Sequence, residues 1–92
     1  MLLSDLSLYK FDGCPYCQRV RQAMLRLGLD IELRDIHAEP RYRQELALAT
    51  GRGTVPCLRI DEGGGKLRWL HESLDIVAFL ERQFPAGAPA AR

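Results

Sequence analysis

Hydrophobic and polar residues repeat along the chain with two periods, and each period predicts one kind of element. Alternating or short apolar stretches, which are typical of strands, cover residues 6–11, 31–36, 54–60 and 66–71. Apolar residues at helical spacing cover residues 15–27, 40–49 and 73–83. The predicted order of elements is therefore β-α-β-α-β-β-α.

Within the predicted elements, the apolar positions indicate which side faces the core. These positions are Val20, Ala23, Met24 and Leu27 in the first helix, Ile31, Leu33 and Ile36 in the second strand, Tyr42, Leu46 and Ala49 in the second helix, and Leu74, Val77, Ala78, Phe79 and Leu80 in the last helix. Arginines occupy the other face of the first helix, which we expect to be solvated.

Glycine and proline mark the boundaries of the predicted helices. Gly28 and Gly51 each follow a helix, where the left-handed backbone of a C-terminal cap favours glycine. Pro40 suits the first position of the second helix, and Pro85 prevents the last helix from continuing. The sequence EGGG at residues 62–65 predicts the turn of an antiparallel hairpin.

These elements predict an α/β fold with a four-stranded mixed sheet flanked by helices. The helix between the first two strands implies a right-handed parallel crossover. We expect one domain over residues 1–84, and a flexible tail over residues 85–92, whose sequence is PAGAPAAR.

Composition excludes several classes of function. The 92 residues carry 13 basic and 12 acidic side chains, a net charge of +1, so no nucleic-acid or membrane partner is indicated. The N-terminus lacks the basic and apolar regions of a signal peptide, and the longest apolar run, residues 76–80, is far shorter than a membrane span. Three cysteines without an export signal indicate a reducing compartment, and we expect the cytoplasm. We also expect the protein to be a monomer.

Candidate chemistry centres on the sequence CPYC at residues 14–17. Cys14 directly precedes the first helix, and Pro15 takes its first position, where a missing N–H costs nothing. The free N–H groups and partial positive charge of a helix start favour a thiolate at Cys14. Cys17 lies one turn further along, within reach of a disulfide, so the spacing predicts an attacking thiol and a resolving thiol.

Two other interpretations of the cysteine pair are weaker. A permanent disulfide is disfavoured in a reducing compartment. A zinc site needs two more ligands, and the candidates, Cys57, His37 and His71, are scattered singly. We therefore expect no metal, and we expect Cys57 to pack as a small buried apolar residue.

The sequence resembles a known family in three motifs. CPYC after a strand, TVP at residues 54–56 and HES at residues 71–73 resemble a glutaredoxin of the thioredoxin-like fold, from Leu6 to Phe84. Many glutaredoxins have a Gly-Gly-x-Asp turn where this chain has LHESLDIVAFLE. That segment is similar to the N-terminal domain of glutathione transferases and of transferase-like glutaredoxins.

The resemblance implies roles for residues around the thiols. Pro56 would follow a cis peptide bond, and the Val55 backbone would pair with glutathione as an added strand does. Tyr16 would pack against the ligand. From the sequence alone, Pro56 could instead be the first residue of an edge strand.

The resemblance also assigns the two ends of glutathione. Ser73 would hold the γ-glutamyl carboxylate at the start of the last helix, and Glu72 would face the ammonium group. Ser73 could also serve only as the N-cap of that helix. Lys10 and Arg52 are candidates for the glycyl carboxylate, although solvated surface charges are the more common outcome.

The predicted function is that of a glutathione-dependent thiol–disulfide oxidoreductase. The Cys14 thiolate would attack mixed disulfides of glutathione, Cys17 would resolve protein disulfides, and glutathione would be the co-substrate. The partners would be glutathione and glutathionylated or disulfide-bonded proteins. The alternatives are an iron–sulfur cluster carrier, against which Pro15 argues, and a glutathione-transferase-like domain.

Overall fold

The computed structural model describes residues 1–85, which form four strands and three α-helices in the predicted order. The strands are β1 (Leu6–Lys10), β2 (Glu32–Asp35), β3 (Cys57–Gly63) and β4 (Lys66–Leu70), and the helices are α1 (Pro15–Leu27), α2 (Pro40–Thr50) and α3 (Ser73–Gln83). A short 3-10 helix over Leu3–Asp5, which the pattern did not predict, precedes β1. Apart from Pro85, the predicted flexible tail lies outside the described residues.

The four strands form one mixed sheet in the order β2-β1-β3-β4. β1 is parallel to β2 and antiparallel to β3, and β3 forms an antiparallel hairpin with β4. The predicted thioredoxin-like α/β fold, with its crossover and its hairpin, is therefore confirmed. None of the helices within residues 1–85 has the length and apolar character needed to cross a membrane.

The sheet has an apolar core on each face. On one face Leu8, Leu58 and Ile60 pack against the core-facing sides of α1 and α3. On the other face a smaller cluster contains Tyr9, Ile36, Leu46 and Cys57. All five residues of β1 are buried because this strand is internal to the sheet and covered on both faces. β1 is thus the rigid support that leads into the cysteine motif.

Three predicted core positions are wrong. Leu33 is 37% exposed, because β2 is an edge strand with no further strand beside it. Ala49 is exposed, because Leu46 is the α2 residue that is buried against the sheet. Leu74 is 66% exposed, whereas Ile76, which was not assigned to the core, is fully buried.

The third strand also begins later than predicted, at Cys57 rather than at residue 54. Pro56 has no N–H to give to a strand ladder, so the preceding residues form a loop. β3 then continues through residues 61–63, which were partly assigned to the turn. The TVP segment consequently stands outside the sheet, at the end of β3 that lies beside the cysteine motif.

The rotational position of α3 is tested by truncating two of its residues. We expect Ile76→Ala to lower the free energy of unfolding by about 2–5 kcal/mol, because it leaves a cavity between α3 and the sheet. The matched control, Leu74→Ala on the same helix, should change it by no more than about 0.5 kcal/mol. Urea denaturation of both variants measures the difference, and equal losses would contradict the observed burial.

Candidate active site

The two cysteines of the motif occupy the first turn of α1. Cys14 is the N-cap residue, with an extended backbone, and Pro15 is the first helical residue, as predicted. The backbone N–H of Cys17 donates a hydrogen bond to Cys14 Sγ, with a distance of 3.4 Å between nitrogen and sulfur. The sulfur therefore caps the helix, where N–H groups and the helix dipole favour negative charge.

All three thiols of the chain are buried, and Cys14, at 6%, is the most exposed of them. Cys17 is 1% exposed, and this burial, followed by the contact with Cys14, raises its pKa to about 12. Cys57 is fully buried on the α2 side of the sheet, and burial raises its pKa to about 12 as well. Both thiols are therefore protonated at neutral pH, whereas the Cys14 sulfur accepts the hydrogen bond from the Cys17 N–H at the helix start.

The Val55–Pro56 segment lies directly beside the Cys14 sulfur. The peptide bond between these two residues is cis, as the resemblance implied. Cys14 Sγ is 3.9 Å from the carbonyl oxygen of Val55, which accepts a weak hydrogen bond from the thiol. An extended ligand bound to the Cys14 sulfur would therefore lie next to the Val55 backbone.

A groove of about 550 Å³, here called the α3 groove, runs from this segment to the start of α3. It brings together six of the residues predicted for the site, which are Tyr16, Arg52, Val55, Pro56, Glu72 and Ser73. Tyr16 is 58% exposed, so its ring is open to a ligand. The groove therefore combines a backbone edge, an aromatic ring and a helix start.

The start of α3 differs in detail from the predicted cap. Glu72, not Ser73, is the N-cap residue, and its side chain makes no capping hydrogen bond. Ser73 is the first helical residue and is buried, and its hydroxyl accepts a hydrogen bond of 3.2 Å from Nη1 of Arg19. The interpretation of Ser73 as a simple N-cap is therefore wrong.

Arg19 also lines the α3 groove, although the sequence pattern gave it no role beyond a place on the polar face of α1. Its guanidinium lies 5.8 Å from the centre of the Tyr16 ring and also reaches Ser73. A cation in this place attracts a carboxylate at the start of α3. The partners Arg19 and Ser73 are 54 positions apart, so no local sequence signal could have found the contact.

Lys10 is held away from the α3 groove by two carboxylates. Its Nζ is 2.6 Å from Asp12 and 3.2 Å from Asp35, and the side chain is buried. The hydrogen bond to Asp12 is the main cause of its raised pKa. Of the two residues predicted for the glycyl carboxylate, the structure brings only Arg52 to the groove.

His71 connects the groove to Cys57. Its Nε2 is 3.8 Å from Cys57 Sγ and its Nδ1 is 3.4 Å from Thr54 Oγ1. Burial lowers the pKa of His71, which keeps the ring neutral. Across residues 1–85, no group of three or more histidine, cysteine or acidic side chains is arranged to hold a metal ion.

Comparisons with known proteins agree with this geometry. Residues 8–89 match the family described as glutathione S-transferase, N-terminal domain. A glutaredoxin of Pseudomonas aeruginosa is 38% identical over 55 residues, which are 60% of this chain and 66% of that protein. Glutaredoxin 3 of Escherichia coli K12 is 29% identical over 59 residues, 64% of this chain and 71% of that protein.

A solved transferase and a solved isomerase have the same fold. Glutathione transferase Omega 3C from Trametes versicolor superposes with a TM-score of 0.70 at 30% identity, covering 94% of this chain and 36% of its own. A maleylacetoacetate isomerase from Anaeromyxobacter dehalogenans, solved with bound dicarboxyethyl glutathione and citrate, gives a TM-score of 0.66 at 27% identity. The match covers 90% of this chain and 38% of that one.

This chain thus spans little more than a third of these two solved proteins and about two thirds of the P. aeruginosa glutaredoxin. The matched region contains the four-stranded sheet, the cysteine at the start of α1 and the cis bond before Pro56. The chain belongs to the glutathione S-transferase N-terminal domain family, within the thioredoxin-like fold, and is similar in sequence to glutaredoxins.

Proposed function

We propose that the protein is a glutathione-dependent thiol–disulfide oxidoreductase, with Cys14 as the nucleophile and Cys17 as the resolving thiol. The main support for this proposal is the position of the Cys14 sulfur. It lies at the start of α1, accepts a hydrogen bond from the Cys17 N–H and is next to the Val55 backbone. We propose that it acts as a monomer in the cytoplasm, where glutathione supplies the electrons.

In the first reaction the Cys14 thiolate attacks the glutathionyl sulfur of a mixed disulfide. The bond between the two substrate sulfurs breaks, a bond from Cys14 to the glutathionyl sulfur forms, and the target thiolate leaves and takes a proton from water. The thiolate of a second glutathione then attacks the glutathionyl sulfur on Cys14. This step releases oxidised glutathione and restores the Cys14 thiolate.

Protein disulfides require the second cysteine. Attack by Cys14 on such a disulfide joins the two proteins through one sulfur bond and releases the other target thiol. Cys17 then loses its proton, attacks the Cys14 sulfur and releases the second target thiol, which leaves a Cys14–Cys17 disulfide. Two molecules of glutathione reduce this disulfide in turn. The high pKa of Cys17 keeps it protonated until this step.

For glutathione itself, the residues that line the α3 groove support a specific orientation of the ligand. We propose that the γ-glutamyl carboxylate binds at the start of α3, where the Ser73 N–H, the helix dipole and Arg19 all favour an anion. Glu72 faces the ammonium group, and the Val55 backbone pairs with the cysteinyl residue. Tyr16 packs on the ligand, and Arg52 is the remaining candidate for the glycyl carboxylate.

A second candidate is the transfer of glutathione to small electrophiles, which the family match and the transferase neighbours favour. It differs from the first in its product, because a thioether forms and no glutathione is oxidised. Conjugation of glutathione to chlorodinitrobenzene by the purified protein, measured beside reduction of a glutathione mixed disulfide, separates the two candidates.

The proposal predicts that the two cysteine variants behave differently. Cys14→Ser should abolish reduction of the mixed disulfide of glutathione and cysteine, since it removes the attacking sulfur. Cys17→Ser should keep much of that activity and lose the reduction of protein disulfides such as those of insulin. Coupled assays with glutathione reductase measure both activities. Equal loss of deglutathionylation in the two variants would contradict the assigned roles.

The groups at the start of α3 should affect glutathione binding rather than sulfur chemistry. Ser73→Ala removes the partner of Arg19 and should raise the glutathione KM about fivefold, as expected for one hydrogen bond of about 1 kcal/mol. Glu72→Gln removes the charge that faces the ammonium group and should also raise KM, with little change in kcat.

Two exposed residues far from the groove serve as matched controls, Ser4→Ala in the 3-10 helix and Glu62→Gln in the hairpin. Both should leave KM unchanged. The thermal midpoint of every variant is measured beside its kinetics. If the α3 variants lowered only the midpoint and left KM unchanged, residues 72 and 73 would support the helix and nothing more.

A further inference from the structure

His71 lines the α3 groove, but the proposed function gives it no role. It lies between β4 and α3, directly before Glu72 and Ser73, and its side chain is partly buried. Two residues of the TVP segment, Thr54 and Val55, line the same groove. By its backbone His71 therefore belongs to the side of the groove formed by the start of α3.

The ring of His71 reaches across to the TVP side. Its Nδ1 is 3.4 Å from the hydroxyl oxygen of Thr54, and its Nε2 is 3.8 Å from the sulfur of Cys57, the first residue of β3. Thr54 and Cys57 flank the Val55–Pro56 peptide, one on each side. The ring thus connects both ends of this peptide to the start of α3.

The protonation of Cys57 determines which nitrogen of the ring accepts a hydrogen bond. Cys57 is fully buried, and burial raises its pKa to about 12, so the thiol keeps its hydrogen and donates it. With Nε2 as the acceptor of this S–H, Nδ1 carries the ring hydrogen and donates it to the Thr54 hydroxyl. Both contacts require a neutral ring, because a protonated imidazole has a hydrogen on each nitrogen and no acceptor.

The groups that face His71 favour its neutral form. Burial is the main cause of its lowered pKa, and the nearby guanidinium of Arg52 lowers the pKa further. Glu72 and the Thr54 backbone raise the pKa but do not offset these effects. Cys57, against the ring, is uncharged at neutral pH. His71 therefore gains a proton only as the pH falls below the ordinary histidine pKa of about 6.5.

We propose that His71 is a positioning residue that holds the TVP segment against the start of α3 and so sets the spacing between the two ends of the glutathione site. This inference rests on the proposed function, in which glutathione contacts the Val55 backbone and the start of α3. Protonation of His71 removes the acceptor of the Cys57 thiol and releases that contact. Glutathione binding should therefore weaken as the ring gains its proton.

Two substitutions at residue 71 test this role. His71→Leu makes neither contact, so it should raise the glutathione KM about three- to fivefold at pH 7.5 with little change in kcat. His71→Gln places a neutral amide near the position of Nε2, where it can accept from the Cys57 thiol, and should stay within about twofold of the wild type. The thermal midpoint of each variant is measured beside its kinetics.

The pH profile distinguishes this role from a purely structural one. Between pH 7.5 and pH 5 the KM of the wild type should rise about threefold relative to that of His71→Gln, because an amide does not titrate in this range. The ratio of the two KM values at each pH cancels the titration of Cys14 and of glutathione, which both proteins share. His37→Gln, at the second of the two histidines of the chain, is the control and should keep the wild-type profile.

A double variant tests whether His71 acts through Cys57. Adding Cys57→Ala to His71→Leu should raise KM no further than His71→Leu alone, because the contact is already lost. Additive effects would overturn the inference. So would a KM ratio that stays constant with pH, or a lower thermal midpoint of His71→Leu with an unchanged KM. If His71→Leu does not fold, the comparison of the wild type with His71→Gln across the pH range decides.

Failure of the inference can be distinguished from failure of the proposed function. If the wild type reduces the mixed disulfide of glutathione and cysteine, and the His71 variants match its KM at every pH, the inference alone is overturned. If the wild type does not reduce this disulfide, the proposed oxidoreductase activity is overturned, and the inference falls with it.

Discussion

The hydrogen bond from the Cys17 backbone N–H to the Cys14 sulfur is the contact on which the rest of the site depends. It exists because β1, buried along its whole length, ends close to the start of α1, and because Pro15 suits the first helical position. The cap fixes the sulfur at the positive end of the helix. The Val55 backbone beside this sulfur also lines the α3 groove, so the glutathione contacts inferred for the protein begin next to Cys14.

The two cores of the sheet have different consequences for the site. The larger core joins α1 and α3 on one face, and the two helices are also linked by an ion pair of 3.0 Å between Arg26 and Glu81. This packing holds the start of α3 opposite the first turn of α1, so that Arg19 reaches Ser73. On the other face, Val55 of the TVP segment packs against the smaller core. The α3 groove therefore has one side supported by each core.

Much of this arrangement could be predicted from the sequence, because local signals determine it. The bounds of α1 and α3, the left-handed glycines after α1 and α2, and the position of Cys14 follow from helical periodicity, capping and proline. The errors concern contacts between distant segments. The pattern also did not indicate that Lys10 forms ion pairs with Asp35 of the neighbouring strand and with Asp12. Similarly, Leu74 and Ile76 are both apolar, and only the docking of α3 determines which of them is buried.

The most direct test of the account is alkylation of the native, reduced protein with iodoacetamide at pH 7, followed by peptide mass spectrometry. The fold buries Cys17 and Cys57 and raises the pKa of each to about 12, so neither should react at this pH. We expect one carbamidomethyl group per chain, on Cys14, and three after unfolding in urea. Modification of Cys17 or Cys57 in the folded protein at a rate similar to that of Cys14 would contradict the account.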